Sequence, residues 1–191
     1  MGRLSETVVD PETVAAARGG DAAARETLFN AVAGNAFGLI RRIVRHKALA
    51  EDLLQDTLIA MYEHLEQFRD DAPFGAWVQA IAVRRCLMAL RSPWNRARVA
   101  LDGFANAEAN EPAARDARLP EMIDAERALA ALAPRARLVI WLYEVEGWSH
   151  EEIATSFGRS VSFSKSAVAR AKAQLVAGRD PPAASRPLSI Y

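Results

Sequence analysis

Residues 148–178 read WSHEEIATSFGRSVSFSKSAVARAKAQLVAG, a stretch with the spacing of two short helices joined by a glycine turn. Ser149 and Glu152 form a capping box, which predicts the start of a first helix, and Gly158 ends that helix. Ser160 is placed to cap a second helix, which runs almost to the end of the stretch. The pattern therefore predicts a helix-turn-helix.

The second helix of this motif has an inner stripe and a basic outer face. The inner stripe consists of Ser164, Val168, Ala171 and Leu175. The outer set includes Phe163, Lys165, Ala167, Arg170, Lys172 and Gln174. A helix of this kind can lie in the major groove of duplex DNA, where Lys and Arg reach phosphates or guanine edges. An αα-hairpin with a solvated basic face gives the same pattern, so these residues alone leave both interpretations open.

The composition indicates small packed domains in a reducing, cytoplasmic compartment. The chain has 191 residues, of which 51% are hydrophobic, which is enough for packed cores. A single cysteine, Cys86, excludes an internal disulfide, and the three histidines lack the spacing of metal ligands. The uncharged run over 27–40 is too short and too polar to cross a bilayer. We expect no membrane insertion, no metal and no cofactor.

A formal net charge of zero conceals a strong charge pattern along the chain. Residues 74–98 contain five arginines and no acid, whereas residues 102–126 contain seven acids against two arginines. Together with the basic helix-turn-helix, this places an acidic segment between two basic ones. Such a distribution is compatible with two separate nucleic-acid contacts.

Apolar residues recur at intervals of three and four throughout the chain, which predicts an all-α fold. Residues 1–10 lack this periodicity, and we expect them to be frayed. Pro11 opens a first helix, and Asp21 caps a second helix over 22–43. Gly34 weakens the second helix, so a break near this residue is an open alternative.

Two further helices are predicted before residue 93. A helix over 50–68 has one apolar face, and its other face carries Asp52, Gln55, Asp56, Ile59 and Glu63. The next helix spans 74–90, and in it Trp77 is predicted to be a core residue rather than a stacking surface. Pro93 marks its end, because the residue before a proline disfavours helical backbone.

The periodicity disappears over residues 93–120, which predicts a flexible linker between two domains. After it the pattern predicts a helix over 121–132, a helix opened by Pro134 and closed by Gly147, and the helix-turn-helix. The C-terminal domain therefore has four predicted helices. The Pro-rich residues 179–191 are typical of a disordered tail.

Both halves of the chain resemble the extracytoplasmic-function sigma factors of bacterial RNA polymerase. AEDLLQDTLIAMYEHLEQF (50–68) resembles the family's core-polymerase-binding helix, and FGAWVQAIAVRRCLMALR (74–91) resembles its helix for the promoter −10 element. IATSFGRSVSFSKSAVARAKAQL (153–175) is similar to the part of the family's second domain that reads the −35 element. The resemblance implies a region 2 domain over 1–92, a linker over 93–120, a region 4 domain over 121–178 and a tail over 179–191.

The resemblance also implies a role for individual residues. The chain is implied to contact the clamp coiled coil and the flap of core polymerase. The residues implied for docking on the clamp coiled coil are Asp52, Gln55, Asp56 and Ile59. The family places a pocket for a flipped base in the loop before its −10 helix, which maps to residues 69–74. The implied −10 contacts are Arg69, Asp70, Phe74, Arg84, Arg85 and Arg91. The implied −35 contacts are Arg159, Ser160, Ser162, Phe163, Lys165, Ser166, Arg170 and Lys172.

Several positions depart from the family pattern. Arg84 and Met88 stand where the family often has Asn and Asp. In the second helix of the motif, Phe163, Ser164 and Ala167 replace a usual Thr, a usual apolar residue and a usual Arg. Ser164 either finds a backbone acceptor or weakens the packing of this helix. Phe163 either touches a thymine methyl or fills the hairpin.

We therefore expect a promoter-specificity subunit that has no catalytic centre and no small-molecule substrate. Its implied partners are core polymerase, promoter DNA and an anti-sigma factor. A stand-alone helix-turn-helix regulator is one alternative, but it leaves residues 50–68 unexplained. A sigma-like decoy that binds only a regulator is a second. An enzyme is a third, since His64-Leu65-Glu66 fits half of a zinc deaminase motif, but no P-C-x-x-C follows.

Overall fold

The computed structural model describes residues 3–93, 95 and 128–177, and in these residues the chain forms helices and no strand. The all-α prediction is confirmed. The described chain divides into two compact units: residues 3–93 belong to the N-terminal unit and most of residues 128–177 to the C-terminal unit. Pro93 and Asn95, at the start of the predicted linker, are helical. The rest of that linker, the predicted tail and the first part of the helix predicted over 121–132 lie outside the described residues.

Over residues 3–92, the N-terminal unit is a cluster of four α-helices with two single-turn 3-10 helices. The α-helices are α1 (Pro11–Arg18), α2 (Ala22–Val44), α3 (Lys47–Glu63) and α4 (Phe74–Arg91), and the 3-10 helices are Leu4–Glu6 and Leu65–Gln67. Helix α2 packs against α1, α3 and α4, and α3 packs against α4. The residues that fill this core include Leu28, Ile40, Ile43, Met61, Val78 and Val83.

Side-chain caps determine where these helices begin. The Asp10 carboxylate accepts a hydrogen bond from the Glu12 amide (3.0 Å), and the Asp21 carboxylate accepts one from the Ala24 amide (2.7 Å). Both predicted helix starts are confirmed. Helix α2 continues through Gly34 without a break, because its apolar side packs against its neighbours along the whole length.

The bounds predicted for α3 are wrong at both ends. The helix begins at Lys47 instead of residue 50, because the ring of His46 caps it and Nδ1 accepts a hydrogen bond from the Leu49 amide (3.0 Å). It ends at Glu63, and the chain then tightens into the 3-10 turn Leu65–Gln67. The apolar periodicity continues across this turn, because Leu65 is buried as it would be in a helix, so the sequence pattern does not reveal the change.

The expectation that residues 1–10 are frayed is wrong for residues 4–7. Leu4 is only 2% exposed. The Thr7 carbonyl accepts a hydrogen bond from the Gly75 amide (2.9 Å) at the start of α4. A Cβ atom added at Gly75 would overlap the carbonyl oxygen of Leu4. The N-terminal segment is therefore packed tightly against α4.

The described part of the C-terminal unit contains helical residues 128–131 and three further helices. These are α5 (Pro134–Glu144), α6 (His150–Phe157) and α7 (Val161–Ala177). Helix α5 opens at Pro134 as predicted but ends three residues before Gly147, which lies in the following turn with a φ of 73°. Helix α5 packs against α7.

The buried side chain of Arg137 holds the first two helical segments of this unit together. Its guanidinium donates hydrogen bonds to the carbonyls of Leu129 (2.9 Å), Ala130 (3.0 Å) and Leu132 (2.8 Å). These carbonyls lie at the end of a helical segment, where main-chain acceptors lack the full set of partners within the helix. These three hydrogen bonds compensate for the loss of water around a guanidinium whose residue is only 7% exposed.

Candidate functional site

Helix α3 presents a polar face that is entirely exposed. This acidic face consists of Asp52, Gln55, Asp56, Ile59 and Glu63, at the i, i+3, i+4, i+7, i+11 spacing of one side of a helix. Ile59 is 55% exposed among these polar side chains. Because the opposite side of α3 is buried, the prediction of a two-faced helix is confirmed, although the helix begins and ends at other residues than predicted.

An open cavity of about 270 Å³ lies where the chain passes from α3 to α4. Its lining residues are Gln67, Phe68, Arg69, Asp71, Ala72, Ala76 and Trp77. We call it the loop cavity. Of the residues implied for −10 binding, Arg69 lines it. Asp70 does not line it and has a positive φ of 56°, which is uncommon for a residue other than glycine. Phe74 is 2% exposed and faces the interior.

Three aromatic rings support one wall of the loop cavity. The ring centroids of Phe68 and Phe74 are 5.2 Å apart in an edge-to-face arrangement, and those of Phe68 and Trp77 are 5.4 Å apart. Phe68 and Phe74 are buried, whereas Trp77 is half-buried and lines the cavity. Trp77 thus belongs partly to the core, as predicted, and partly to the cavity wall. The sequence favoured the core position over this second role, because the wall forms only when the loop folds back on α4.

The outer face of α4 leads away from the loop cavity. Trp77, Arg84 and Arg91 recur every seven residues, which on an α-helix keeps them on one side over roughly 21 Å. Ala80 and Met88 fill the same side, and Met88 is 54% exposed. We call this face the α4 track. Arg84 and Arg91 are exposed, whereas Arg85 is half-buried and lies beside the track.

Helices α6 and α7 are capped as predicted. Ser149 and Glu152 form the reciprocal capping box at the start of α6, with distances of 2.7 Å and 3.1 Å. Gly158 has a φ of 61° in the turn. The Ser160 hydroxyl accepts a hydrogen bond from the Phe163 amide (3.3 Å) at the start of α7. The two helices and the glycine turn are confirmed.

The most outward side of α7 differs from the outer set read from the sequence. Ser164, Val168 and Ala171 are buried, so the opposite side carries the stripe Ser162, Ser166, Ala169, Arg170 and Ala173. Lys165 and Lys172 are exposed on one flank of this stripe. Phe163 and Ala167 are half-buried on the other flank. Arg159 and Ser160 are exposed in the turn just before the helix.

Ser164 has a hydrogen-bond partner that neither of the two alternatives named. Its hydroxyl lies 3.0 Å from Nδ1 of His150, so its partner is a side chain rather than a backbone acceptor. The His150 ring stacks on Tyr143, with centroids 4.6 Å apart. A polar residue in the inner stripe is thereby accommodated, because the hydrogen bond compensates for its loss of water.

Lys172 has an acidic partner within the unit. Its Nζ lies 2.6 Å from a carboxylate oxygen of Glu144 and 5.4 Å from the centroid of the Tyr143 ring. The hydrogen bond to Glu144 is the main reason that the pKa of Lys172 is raised above its ordinary value. The sequence missed this pair because Glu144 lies on α5, far from α7 along the chain.

Among residues 3–93, 95 and 128–177, no group of three His, Cys, Asp or Glu side chains is arranged to hold a metal ion. None of the helices described is long and apolar enough to cross a membrane.

Two family models match the chain in succession. The sigma-70 region 2 model matches residues 28–96, and the sigma-70 region 4 model matches residues 123–175. The fold therefore carries the two parts of a sigma factor, the class of protein that directs RNA polymerase to promoters.

Individual relatives define the subgroup. The chain is 31% identical over 167 residues to the ECF RNA polymerase sigma factor SigM of Mycobacterium tuberculosis, covering 87% of this chain and 82% of SigM. It is 34% identical over 149 residues to the RNA polymerase sigma factor CarQ of Myxococcus xanthus, covering 75% and 82%. The chain belongs to the extracytoplasmic-function sigma factors.

A solved structure shows the same fold. The sigma factor RpoE of Bartonella quintana, in a complex with the anti-sigma factor NepR, superposes with a TM-score of 0.59 at 25% identity. The superposition covers 82% of this chain and 98% of RpoE.

Proposed function

We propose that the two units of this sigma factor divide promoter recognition between them, with no catalytic centre of their own. A region 2 domain over 1–92 docks on core polymerase and captures the melted −10 strand. A region 4 domain over 121–178 binds the −35 duplex, a linker over 93–120 spans the distance, and residues 179–191 form a tail. The single observation that carries this proposal is the loop cavity, which is lined by Trp77, the first residue of the α4 track.

The acidic face of α3 is proposed as the docking surface for the clamp coiled coil of core polymerase. Asp52, Gln55 and Asp56 offer carboxylate and amide groups on one exposed side. Ile59 supports this proposal, because it is a large apolar side chain that is 55% exposed among polar neighbours. A partner that covers this side chain removes it from water, which stabilises the complex. We propose the polymerase flap as the contact of the region 4 domain.

The loop cavity is proposed as the site that receives an unpaired base of the −10 element. Single-stranded DNA is held by aromatic surfaces for bases and by cations for phosphates. Trp77 provides the aromatic surface, and Arg84 and Arg91 provide cations along the α4 track. Arg69 lines the cavity and offers a further cation, whereas the buried Phe74 is proposed to act indirectly by supporting Trp77. Asp70 and Arg85 shape the surroundings of the cavity and of the track.

The outward stripe of α7 is proposed as the reader of the −35 element. Ser162, Ser166 and Arg170 face away from the core, where they can reach base edges in the major groove. Lys165, with Arg159 and Ser160 in the preceding turn, is placed for phosphates. Phe163 and Lys172 lie on the flanks, and Lys172 must leave Glu144 before it can bind a phosphate.

A neutral net charge is consistent with promoter recognition that is divided between two units. A strongly basic sigma factor would bind DNA indiscriminately, whereas two small basic surfaces gain affinity when polymerase holds them in register. We further propose that an anti-sigma factor restrains this chain, as supported by the complex of RpoE with NepR.

Transcription in vitro tests the proposal. Core polymerase is incubated with genomic DNA fragments with and without the full chain, and transcript 5′ ends are mapped. We expect initiation at a set of promoters that share two elements, upstream of the start at the −35 and −10 positions. A chain that adds no start site beyond core alone contradicts the proposal. Tight binding of one DNA sequence by the chain without polymerase would instead favour a stand-alone regulator.

A further inference from the structure

The loop that forms the loop cavity is held at both ends by the N-terminal segment. At one end, the Arg18 guanidinium donates hydrogen bonds to the carbonyls of Leu65 (Nε, 3.2 Å) and Phe68 (Nη2). At the other end, the Gly75 amide donates to the Thr7 carbonyl (2.9 Å). Both contacts come from residues that precede position 28, where the match to the region 2 model begins.

The Arg18 contact reaches the cavity wall through a single residue. Phe68 accepts a hydrogen bond from Arg18 with its carbonyl, lines the cavity and packs its ring against Trp77. Arginine suits this role because its rigid fork presents separate nitrogens to two acceptors. Losing this fork therefore frees the backbone of one wall of the cavity.

The Thr7 contact supplies a partner that α4 lacks. The N-terminal amides of a helix have no acceptors within the helix, and Pro73 at the N-cap gives no side-chain hydrogen bond. The Thr7 carbonyl accepts from one of these amides, and the missing side chain of Gly75 allows Leu4 to approach. This contact fixes the position at which the loop enters α4.

We propose that residues 4–18 form a brace that sets the shape of the loop cavity, and that Arg18 is a positioning residue for base capture. The inference rests on the proposed function, since it takes the cavity as the site for an unpaired −10 base. Arg18 itself need not touch DNA. It acts by holding Phe68, and through it Trp77, at the spacing at which one base is preferred over the others.

Base selectivity in the complete holoenzyme tests this proposal. The probes are fork-junction DNAs built on a promoter mapped by transcript sequencing, with each of the four bases placed in turn at every unpaired −10 position. We expect Arg18→Ala to reduce discrimination at one −10 position by about tenfold, the size of one hydrogen bond to a charged group. Arg18→Lys keeps the charge but offers one nitrogen instead of two, so it should fall between wild type and Arg18→Ala.

Arg41 provides the matched control. Like Arg18 it is a half-buried arginine of the same unit, but it lies in the last turn of α2, outside the brace and outside the loop. Arg41→Ala should leave base discrimination unchanged. Affinity for core polymerase and discrimination at −35 should be equal in all variants.

Two results overturn the proposal: full −10 discrimination in a folded Arg18→Ala protein, or an equal loss at −10, at −35 and in core binding, which indicates general destabilisation. If Arg18→Ala does not fold, Arg18→Lys decides on the same criteria. The proposed function fails separately and visibly, since wild-type holoenzyme would then show no base preference at any −10 position.

Discussion

Nδ1 of His150 and the hydroxyl of Ser164 lie 3.0 Å apart, joining the first residue of α6 to the inner side of α7. Ser164 is fully buried, and the His150 ring is held against Tyr143 of α5. These three side chains therefore connect α5, α6 and α7, the last of which carries the proposed −35 surface.

Replacement of Ser164 by alanine should destabilise the C-terminal unit. The substitution removes the partner of the His150 ring, and a partly buried polar group left without its partner costs about 1–3 kcal/mol. The double variant Ser164→Ala/His150→Phe should recover most of this loss, because it removes both polar partners and keeps a ring on Tyr143. Thermal unfolding of the full chain measures both effects.

Ser166→Ala is the matched control for this experiment. Ser166 lies on the same helix but is exposed, so its substitution should change the free energy of unfolding by less than about 0.5 kcal/mol. Equal losses for Ser164→Ala and Ser166→Ala would show that the hydrogen bond to His150 contributes nothing to stability.

Local signals predicted most of the helices. The caps at Asp10 and Asp21 and the capping box at Ser149 act within a few residues, so the sequence is enough to recognise them. The burial of Leu4 was missed because it depends on a glycine about seventy residues away, at the start of α4. No local pattern distinguishes such a docked segment from a frayed end.

The candidate site also has parts that could be predicted from the sequence and parts that could not. The acidic face of α3 could be predicted, since helical periodicity alone separates Asp52, Asp56 and Ile59 from the core. The loop cavity could be placed only approximately, because its walls come from a loop and from the side of α4. The pair of Lys172 with Glu144 could not be predicted, since it depends on how α5 packs against α7.

Arg170 and Lys172 should differ in their importance for −35 binding. Arg170→Ala removes a cation from the outward stripe and should weaken binding of holoenzyme to the promoter duplex by about 1–3 kcal/mol. Lys172→Ala should cost less than half as much, because Lys172 must first leave Glu144. Binding measured at several salt concentrations checks this, and equal losses for the two variants would contradict it.

Charge reversal on the acidic face should weaken the complex with polymerase. Asp56→Lys places a cation at the centre of the proposed docking surface, so affinity for core polymerase should fall by at least about tenfold. Glu26→Lys makes the same change at an exposed position on α2 and should have little effect. Fluorescence titration of the labelled chain with core measures both, and a similar loss for Glu26→Lys would point to total charge rather than to this face.

Cys86 should be unreactive in the folded protein. Burial raises the pKa of its thiol to about 12, so the thiolate is almost absent at pH 8. As the pH rises above the ordinary range of a thiol, the unfolded chain loses this proton while the folded chain keeps it, so Cys86 makes stability fall with rising pH. Labelling with a thiol reagent at pH 8 should be slow in buffer and fast in denaturant. Rapid labelling in buffer would show that the N-terminal core opens readily.

Two glycine substitutions should shift stability in opposite directions. Gly75→Ala forces a Cβ atom into the Leu4 carbonyl, so we expect a loss of about 1–3 kcal/mol. Gly34 lies inside α2 with no heavy atom within 4 Å of an added Cβ, so Gly34→Ala should stabilise by about 0.5–1 kcal/mol through a higher helix propensity. Thermal unfolding of the full chain compares the two. If Gly75→Ala is as stable as wild type, residues 4–7 do not pack against α4 in solution, because only their presence makes alanine unfavourable at that position.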